Sequence, residues 1–200
     1  VIALLAVSAV IWTPIGVWIG FHPKLARIAQ PVVQILSSYP AYFLFPLFTV
    51  IFLRTGLPLN FGSILLMALG TQWYIMFNSI AGAMAIPTDI REMAANMGLR
   101  GWSLWKKVII PGIFPSWVTG AITASGGAWN ASIVAEIVEW KGAKLEALGL
   151  GSYITHASDN NDIPRIVLGV TVMCIFVVGV NRFWWRRLYM LAETRYRLGR

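Results

Sequence analysis

The chain has 200 residues, of which 58% are hydrophobic and 12% charged, with ten Trp and a mean hydropathy of +0.69. Soluble domains run at about 45–50% apolar and about 25% charged residues, so this composition excludes an ordinary water-soluble domain and points to a membrane protein. The net charge of +8 would suggest nucleic acid in a soluble chain, but here its distribution between loops carries the information, and no nucleic-acid partner is expected.

A membrane-crossing helix needs roughly 20 mostly apolar residues at a rise of about 1.5 Å each. Five segments qualify in chain order: Val1 to Phe21, Ala41 to Leu53, Phe61 to Ile86, Ile113 to Ala135 and Ile166 to Trp185. The first, "VIALLAVSAVIWTPIGVWIGF", lacks a basic n-region and a small-residue cleavage site, which argues against a signal peptide. It opens on Val1 rather than Met, and one further hydrophobic span is expected upstream. The second is short, but "PVVQILSSYP" before it is apolar enough for a helix to start near Pro31 and to kink or break at Pro40. The lone Cys174, in the last apolar run, provides neither a disulfide framework nor a Cys-based metal site.

Between the third and fourth spans lies Asp89 to Gly112, "DIREMAANMGLRGWSLWKKVIIPG", the amphipathic, glycine-broken stretch of an otherwise apolar chain. With this segment on the cytoplasmic side, alternation places Lys24, Arg27, Arg91, Arg100, Lys106, Lys107, Arg182, Arg186, Arg187, Arg195, Arg197 and Arg200 there too. Only Arg54, Lys141, Lys144 and Arg165 of the 16 Lys and Arg fall outside. The positive-inside rule selects that orientation, with the N-terminal end outside and the C-terminus inside. A single all-α membrane bundle, residues 1–200, is the expected architecture. Its cytoplasmic loop is 87–111 and its extracytoplasmic loop 136–165.

Within the cytoplasmic loop, Asp89 and Glu92 have capping-box spacing, predicting a short helix from Ile90 to Met97. Gly98 is placed to end it in a left-handed conformation, and Gly101 adds a second turn. Trp102 to Val108 reads as another short helix with Trp102 and Trp105 on one side and Lys106 and Lys107 beside them, and Pro111 closes the segment. On physical grounds alone this could be an interfacial helix resting on anionic lipid.

Polar residues inside a bundle are costly and face a cavity or another helix. Gln72, Asn78, Ser125, Asn130 and Ser132 are the candidates for a translocation path. Ser125, Trp129, Ser132 and Glu136 share one helical face, and Asn78 follows Thr71 by seven residues on another. The same face could equally be packing, with Gly126 and Gly127 either loosening the helix or admitting a close neighbour. His156, Asp159 and Asp162 have no metal-site spacing and are better explained by helix capping and loop hydrogen bonds. "NRFWWRRLYMLAETRYRLGR" reads as an aromatic and basic anchor.

Glu92, Met93, Ala94, then Gly98, then Val108, Ile110 and Pro111 follow the pattern Glu-Ala-Ala, three residues, Gly, nine residues, Ile-x-Leu-Pro, with Met93, Val108 and Ile110 as apolar exchanges. This resembles the cytoplasmic loop of permease subunits in type I binding-protein-dependent ABC importers. "GVWIG", "GLGSYI" and "DIPRIVLGV" extend the likeness across the chain, toward members that import nitrate, sulfonate, taurine or bicarbonate. The resemblance implies a type I transmembrane bundle in the inner membrane of a prokaryote. Glu92, Ala94, Ala95, Gly98, Gly101 and Pro111 would engage a cytoplasmic ATPase dimer, Glu92 by docking, by capping its own helix, or both. Ala95 stands where relatives often carry a basic residue.

The resemblance also implies that ATP and Mg are bound by the partner ATPase and not by this chain, which contains no G-x-x-x-x-G-K-[ST] motif. A second permease half, identical or related, would complete the path. An extracytoplasmic solute-binding protein would land on the segment 136–165, where Glu136, Glu139, Lys141 and Asp159 are candidates, unless these only solvate a polar loop. An ATP-independent channel or carrier is the alternative, and it has no use for the Glu, Gly and Pro spacing.

Overall fold

The computed structural model describes residues 1–56, 58–140 and 143–196; Lys141, Arg197 and Arg200 lie outside the described residues. Ten α-helices and one hairpin follow in order: α1 Ile2–Gly20, α2 Pro23–Ser38, α3 Phe45–Thr55, α4 Leu59–Ala85, α5 Thr88–Asn96, α6 Gly101–Leu104, α7 Ile110–Ala135, β1 Ile137–Trp140, β2 Ala143–Glu146, α8 Leu150–Asp159, α9 Ile163–Val180 and α10 Arg186–Arg195. Four helical stretches are long and apolar enough to cross a membrane: Ile2–Gly20, Leu59–Ala85, Gly101–Ala135 and Ile163–Arg195. A bent pair, Pro23–Ser38 with Ala41–Thr55, makes a fifth if it counts as one span.

The bend of 80° falls at Tyr39 and Pro40. Proline disfavours the helical region for the residue before it, and Tyr39 is extended at ψ 129. The break at Pro40 therefore follows the sequence, but the helix starts at Pro23 and not near Pro31. Pro23 at the first helical turn needs no N–H partner, and Pro31 is absorbed inside the helix. The pair runs along the whole of α4: Val33 packs with Met76 and Ile80, Ala41 lies by Gly70, and Phe52 covers Gly62.

α4 is the axis of the bundle. In hydrocarbon no hydrophobic force draws helices together, so close packing of small residues does much of that work. A Cβ added at Gly16 would sit 2.6 Å from Ser79 Cβ, one at Gly20 2.6 Å from Ala83 Cβ, and one at Gly120 2.6 Å from Asn78 Cβ. The "GVWIG" stretch is thus the α1–α4 contact, and Gly120 is the α7–α4 contact. Three apolar clusters surround this axis. Leu4, Phe45, Phe52, Leu59, Leu66 and Ala128 fill the end near the hairpin; Val17, Ala83, Ile86, Ile109 and Ile113 fill the opposite end; Ile19, Ala26, Val33, Met76 and Ile80 lie under α2.

Three elements depart from the sequence reading. Trp102 to Val108 is not a separate interfacial helix, because α6 runs through one π turn, Trp105–Ile109, into α7 to form a single rod of 35 residues. Pro111 does not close the segment but lies inside this rod. Its ring would clash with the carbonyl four residues back, and the π turn, in which Ile110 N–H bonds Trp105 O, widens the helix just before it. The loop after α7 contains an antiparallel hairpin pairing Ile137 with Glu146 and Glu139 with Lys144, so the bundle carries two short strands beside its helices.

Gly16→Val should therefore cost about 1–3 kcal/mol through overpacking against α4, read as a lowered melting midpoint in detergent. Gly126→Ala, with nothing within 4 Å of the added methyl, should leave that midpoint nearly unchanged.

Candidate functional site

Helix α5 stands at the end of the bundle opposite the hairpin. Pro87 precedes it as the cap residue, so the Asp89–Glu92 capping box does not form; Asp89 instead sits in the first turn, where a carboxylate suits the helix dipole. The helix ends as the glycine spacing demands. Gly98 has φ +69, Leu99 N–H bonds Ala94 O at 2.9 Å, and Gly98 N–H bonds Ala95 O at 3.0 Å. Gly101, at φ +53, then starts the next helix. Both glycines are exposed with open space around them, so their role is conformational and not one of packing.

The candidate contact residues divide between two faces. Ala94 is 3% exposed and seats α5 on its own bundle, whereas Glu92, Ala95 and Gly98 face outward. Among the described residues no hydrogen-bond partner holds the Glu92 carboxylate. The outward face also carries Met93, Met97 and, beyond the turn, Trp102, with Met97 71% and Trp102 73% exposed. Met93 and Met97 are four apart on one face, a spacing legible in the sequence that had gone unused. Pro111 is half-buried at the base.

α5 is tied to α1 by a charge on a ring. The Arg91 guanidinium carbon lies 5.4 Å from the Phe21 ring centroid, within cation–π range. Its Nε is buried without a hydrogen-bond partner among the described residues. Ile86 in turn closes over Gly112, where an added Cβ would come within 2.7 Å of the isoleucine side chain. Ile90 of α5 packs against the cluster of Val17, Ala83, Ile86, Ile109 and Ile113, so the short helix rests on the ends of α1, α4 and α7 and is exposed on its far side.

The polar residues within the bundle are sorted by the helix faces. Ser125 and Ser132 are buried: Trp185 Nε1–H donates to Ser125 Oγ at 3.2 Å, and Ser132 Oγ–H donates to Trp129 O at 2.8 Å. Trp129 lines an apolar groove of about 580 Å³ with Trp117, Ala121, Phe176 and Trp184. Asn78 and Thr71 share a face, as their spacing requires, and that face meets α7: Asn78 opposes Gly120, Thr71 opposes Gly127, and both side chains donate to their own helix. Gln72 is half-buried. Asn130 alone of the candidates is exposed, and Thr119, Thr123 and Gly126 share its stripe at helical spacing. Thr119 and Thr123 return their hydroxyl protons to carbonyls four residues back, at 3.1 and 3.0 Å, which hid them as ordinary helix residues in the sequence.

At the hairpin end, Glu136 leaves α7 and places its carboxylate on the first turn of α8. Gly151 N–H donates to Glu136 Oε2 at 2.7 Å and Ser152 N–H at 3.1 Å. A Cβ on Gly151 would collide with the α7 backbone at Ser132 and Ile133, and one on Gly149 would displace the Glu136 carboxylate. "GLGSYI" is thus the receptor for Glu136. Glu139 is exposed on β1. His156 pairs with Glu146 at 2.7 Å, while Asp162 caps α9 by accepting from Arg165 N–H at 3.2 Å; Asp159 is exposed at the end of α8. Among the described residues no group of three or more His, Cys, Asp or Glu could hold a metal ion.

Comparison with known proteins gives a consistent result. Residues 13–197 match the family model described as binding-protein-dependent transport system inner membrane component. The chain is 36% identical over 84% of its length to an Escherichia coli permease protein named for aliphatic sulfonates transport. It is 26% identical over 91% of its length to the bicarbonate transport system permease protein of Synechococcus elongatus, and 24% identical over 82% to the nitrate import permease protein of Leptolyngbya laminosa. The chain spans 64%, 63% and 55% of the length of these three relatives, respectively.

A carboxylate accepting two amide protons is worth about 1.5–3 kcal/mol per charged hydrogen bond. Glu136→Ala should accordingly raise amide hydrogen exchange at Gly151 and Ser152 by about ten- to a hundredfold, with Glu139→Ala as the unaffected control. Unchanged protection in the Glu136 variant would show that the first turn of α8 holds itself.

Proposed function

We infer, because this chain belongs to the family of binding-protein-dependent transport system inner membrane components, that it is the multi-pass permease domain of an ATP-driven importer. It forms half of a translocation path and is worked by a separate cytoplasmic ATPase. The observation that carries this reading is α5: a nine-residue helix, packed on one side against the ends of α1, α4 and α7, open on the other, and followed by two glycines of positive φ. A stand-alone channel has no need of a rigid helix held out from its bundle.

In this reading the α5 end is cytoplasmic and the hairpin end extracytoplasmic, as the distribution of Lys and Arg requires. Met93, Met97 and Trp102 supply apolar anchors for the ATPase dimer, and Glu92 supplies a charge for a donor on it. ATP and Mg belong to that partner. Movement of α5 reaches α1 through Arg91 on Phe21 and α7 through Ile90 in the cluster with Ile109 and Ile113. At the far end, the hairpin and α8 form the surface on which a solute-binding protein lands.

The path itself lies against the exposed stripe of α7, Thr119, Thr123, Gly126 and Asn130, and is closed by a second permease half, identical or related. Ser125, Ser132 and Asn78 support this helix from behind. The relatives named for nitrate, bicarbonate and sulfonates transport favour a small anion as substrate. The exposed Asn130 amide on the stripe accompanies such an anion without holding it as a buried cation would, while the Thr119 and Thr123 hydroxyls stay bonded to their own helix.

Gly98→Asp should abolish uptake while the bundle remains inserted, and Gly98→Asn should retain more activity because both side chains tolerate the left-handed region but only aspartate adds a charge beside Glu92 on the outward face. Normal uptake by the Asp variant in reconstituted vesicles with the ATPase and the binding protein would remove the docking assignment. Asn130→Leu should lower uptake by about fivefold, the loss of one hydrogen bond, with an unchanged melting midpoint.

A further inference from the structure

Beside α5, a second feature occupies the same end of the bundle. A cleft of about 190 Å³ is enclosed where three elements meet: Ile86 and Ile90 from the start of the loop, Lys107, Val108, Pro111 and Gly112 from the π turn and α7, and Arg195 and Tyr196 from the C-terminal helix. Two cations line it. No acidic side chain does, and among the described residues neither Lys107 nor Arg195 forms an ion pair. Like charges lining one cleft repel each other, and an anion between them relieves that repulsion.

The walls are fixed. Tyr196 packs against Phe114 with ring centroids 4.9 Å apart and the rings tilted by 59°, and Ala192, one turn earlier, is buried, so the backbone that carries Arg195 is anchored. Lys107 sits in the π turn that Pro111 demands. The remaining surface of the cleft is aliphatic, from Ile86, Ile90 and Val108. Two cationic donors, a phenol hydroxyl and an apolar wall at one end of a membrane bundle suit a ligand with an anionic oxygen head and a hydrocarbon flank.

We propose that this cleft is an oxyanion site that takes the phosphate of an anionic phospholipid and pins the C-terminal helix to the segment that carries α5. A free inorganic oxyanion offers the same head without the flank, and the aliphatic wall favours the lipid. The site is separate from the stripe on α7 and from the outward face of α5, and its occupancy can be read without any transport measurement.

The test uses the full-length protein purified in a neutral detergent, with native mass spectrometry in limiting phosphatidylglycerol and phosphatidylcholine, and equilibrium dialysis against labelled inorganic phosphate. Wild type should retain phosphatidylglycerol over phosphatidylcholine. Neutralising each cation should weaken retention by about fivefold, so Lys107→Gln with Arg195→Gln should lose it, whereas Lys107→Arg with Arg195→Lys should keep it. Lys106→Gln, whose cation lies outside the cleft, is the control. Phosphate binding that is lost in the double Gln variant, without lipid retention, would support the oxyanion site with a free anion as its occupant. If the double Gln variant binds both ligands as wild type does, or wild type binds neither, the proposal is overturned.

Discussion

The close approach of α1 and α7 to α4 is the constraint on which the rest of the molecule depends. Each contact needs a residue with no side chain on one partner: Gly16 and Gly20 of α1 against Ser79 and Ala83, and Gly120 of α7 against Asn78. Where lipid tails are as apolar as leucine, such contacts hold helices by van der Waals packing alone, which falls off steeply with distance. A fraction of an ångström of separation therefore forfeits much of the attraction. The three helices move as one body or come apart, and a force applied to the end of any one is shared by the others.

This close packing also bears on how α5 is attached. A helix joined to the bundle by flexible loops would absorb an applied displacement in those loops. Here the connection on the N-terminal side is two residues, Ile86 and Pro87, and Arg91 on Phe21 adds a contact to a different helix. The freedom that remains is on the C-terminal side, at Gly98 and Gly101, where positive φ makes a compact turn that a residue with a Cβ would strain. A displaced α5 is thus tethered stiffly to α1 and α4 and turned tightly into α7.

How much of this was legible in the sequence follows from the kind of signal each feature leaves. The spans at Phe61 to Ile86 and Ile113 to Ala135 were recovered within a few residues, because runs of apolar side chains report the hydrocarbon thickness directly. Gly98 and Gly101 were legible because few other residues occupy positive φ without strain. The start of α2 at Pro23 was missed because proline inside a run reads as a break, while at the first turn it is an initiator. The hairpin after α7 was missed because "IVEW" and "AKLE" are too short to show alternation. For the path residues the sequence left two readings open, for a deeper reason. Polarity identifies which side chains are costly in a membrane, but not whether the cost is met by a neighbouring helix, as at Ser125 and Asn78, or left facing a space, as at Asn130.

The two ends of the bundle solve opposite electrostatic problems. At the hairpin end a carboxylate, Glu136, is folded back onto the amide groups of α8, so the first turn of that helix is already satisfied from within the chain. At the α5 end the cations on Lys107 and Arg195 are left without such an internal partner among the described residues. The first arrangement ties α8 to the rod that carries the polar stripe, in addition to the close approach of Gly151 to Ser132 and Ile133. The second leaves two cations together on one cleft, beside a C-terminal helix held by Tyr196 against Phe114. One rod, Gly101 to Ala135, therefore joins an end whose carboxylate is satisfied from within the chain to an end where two cations share a cleft, and the stripe lies between them on the same rod.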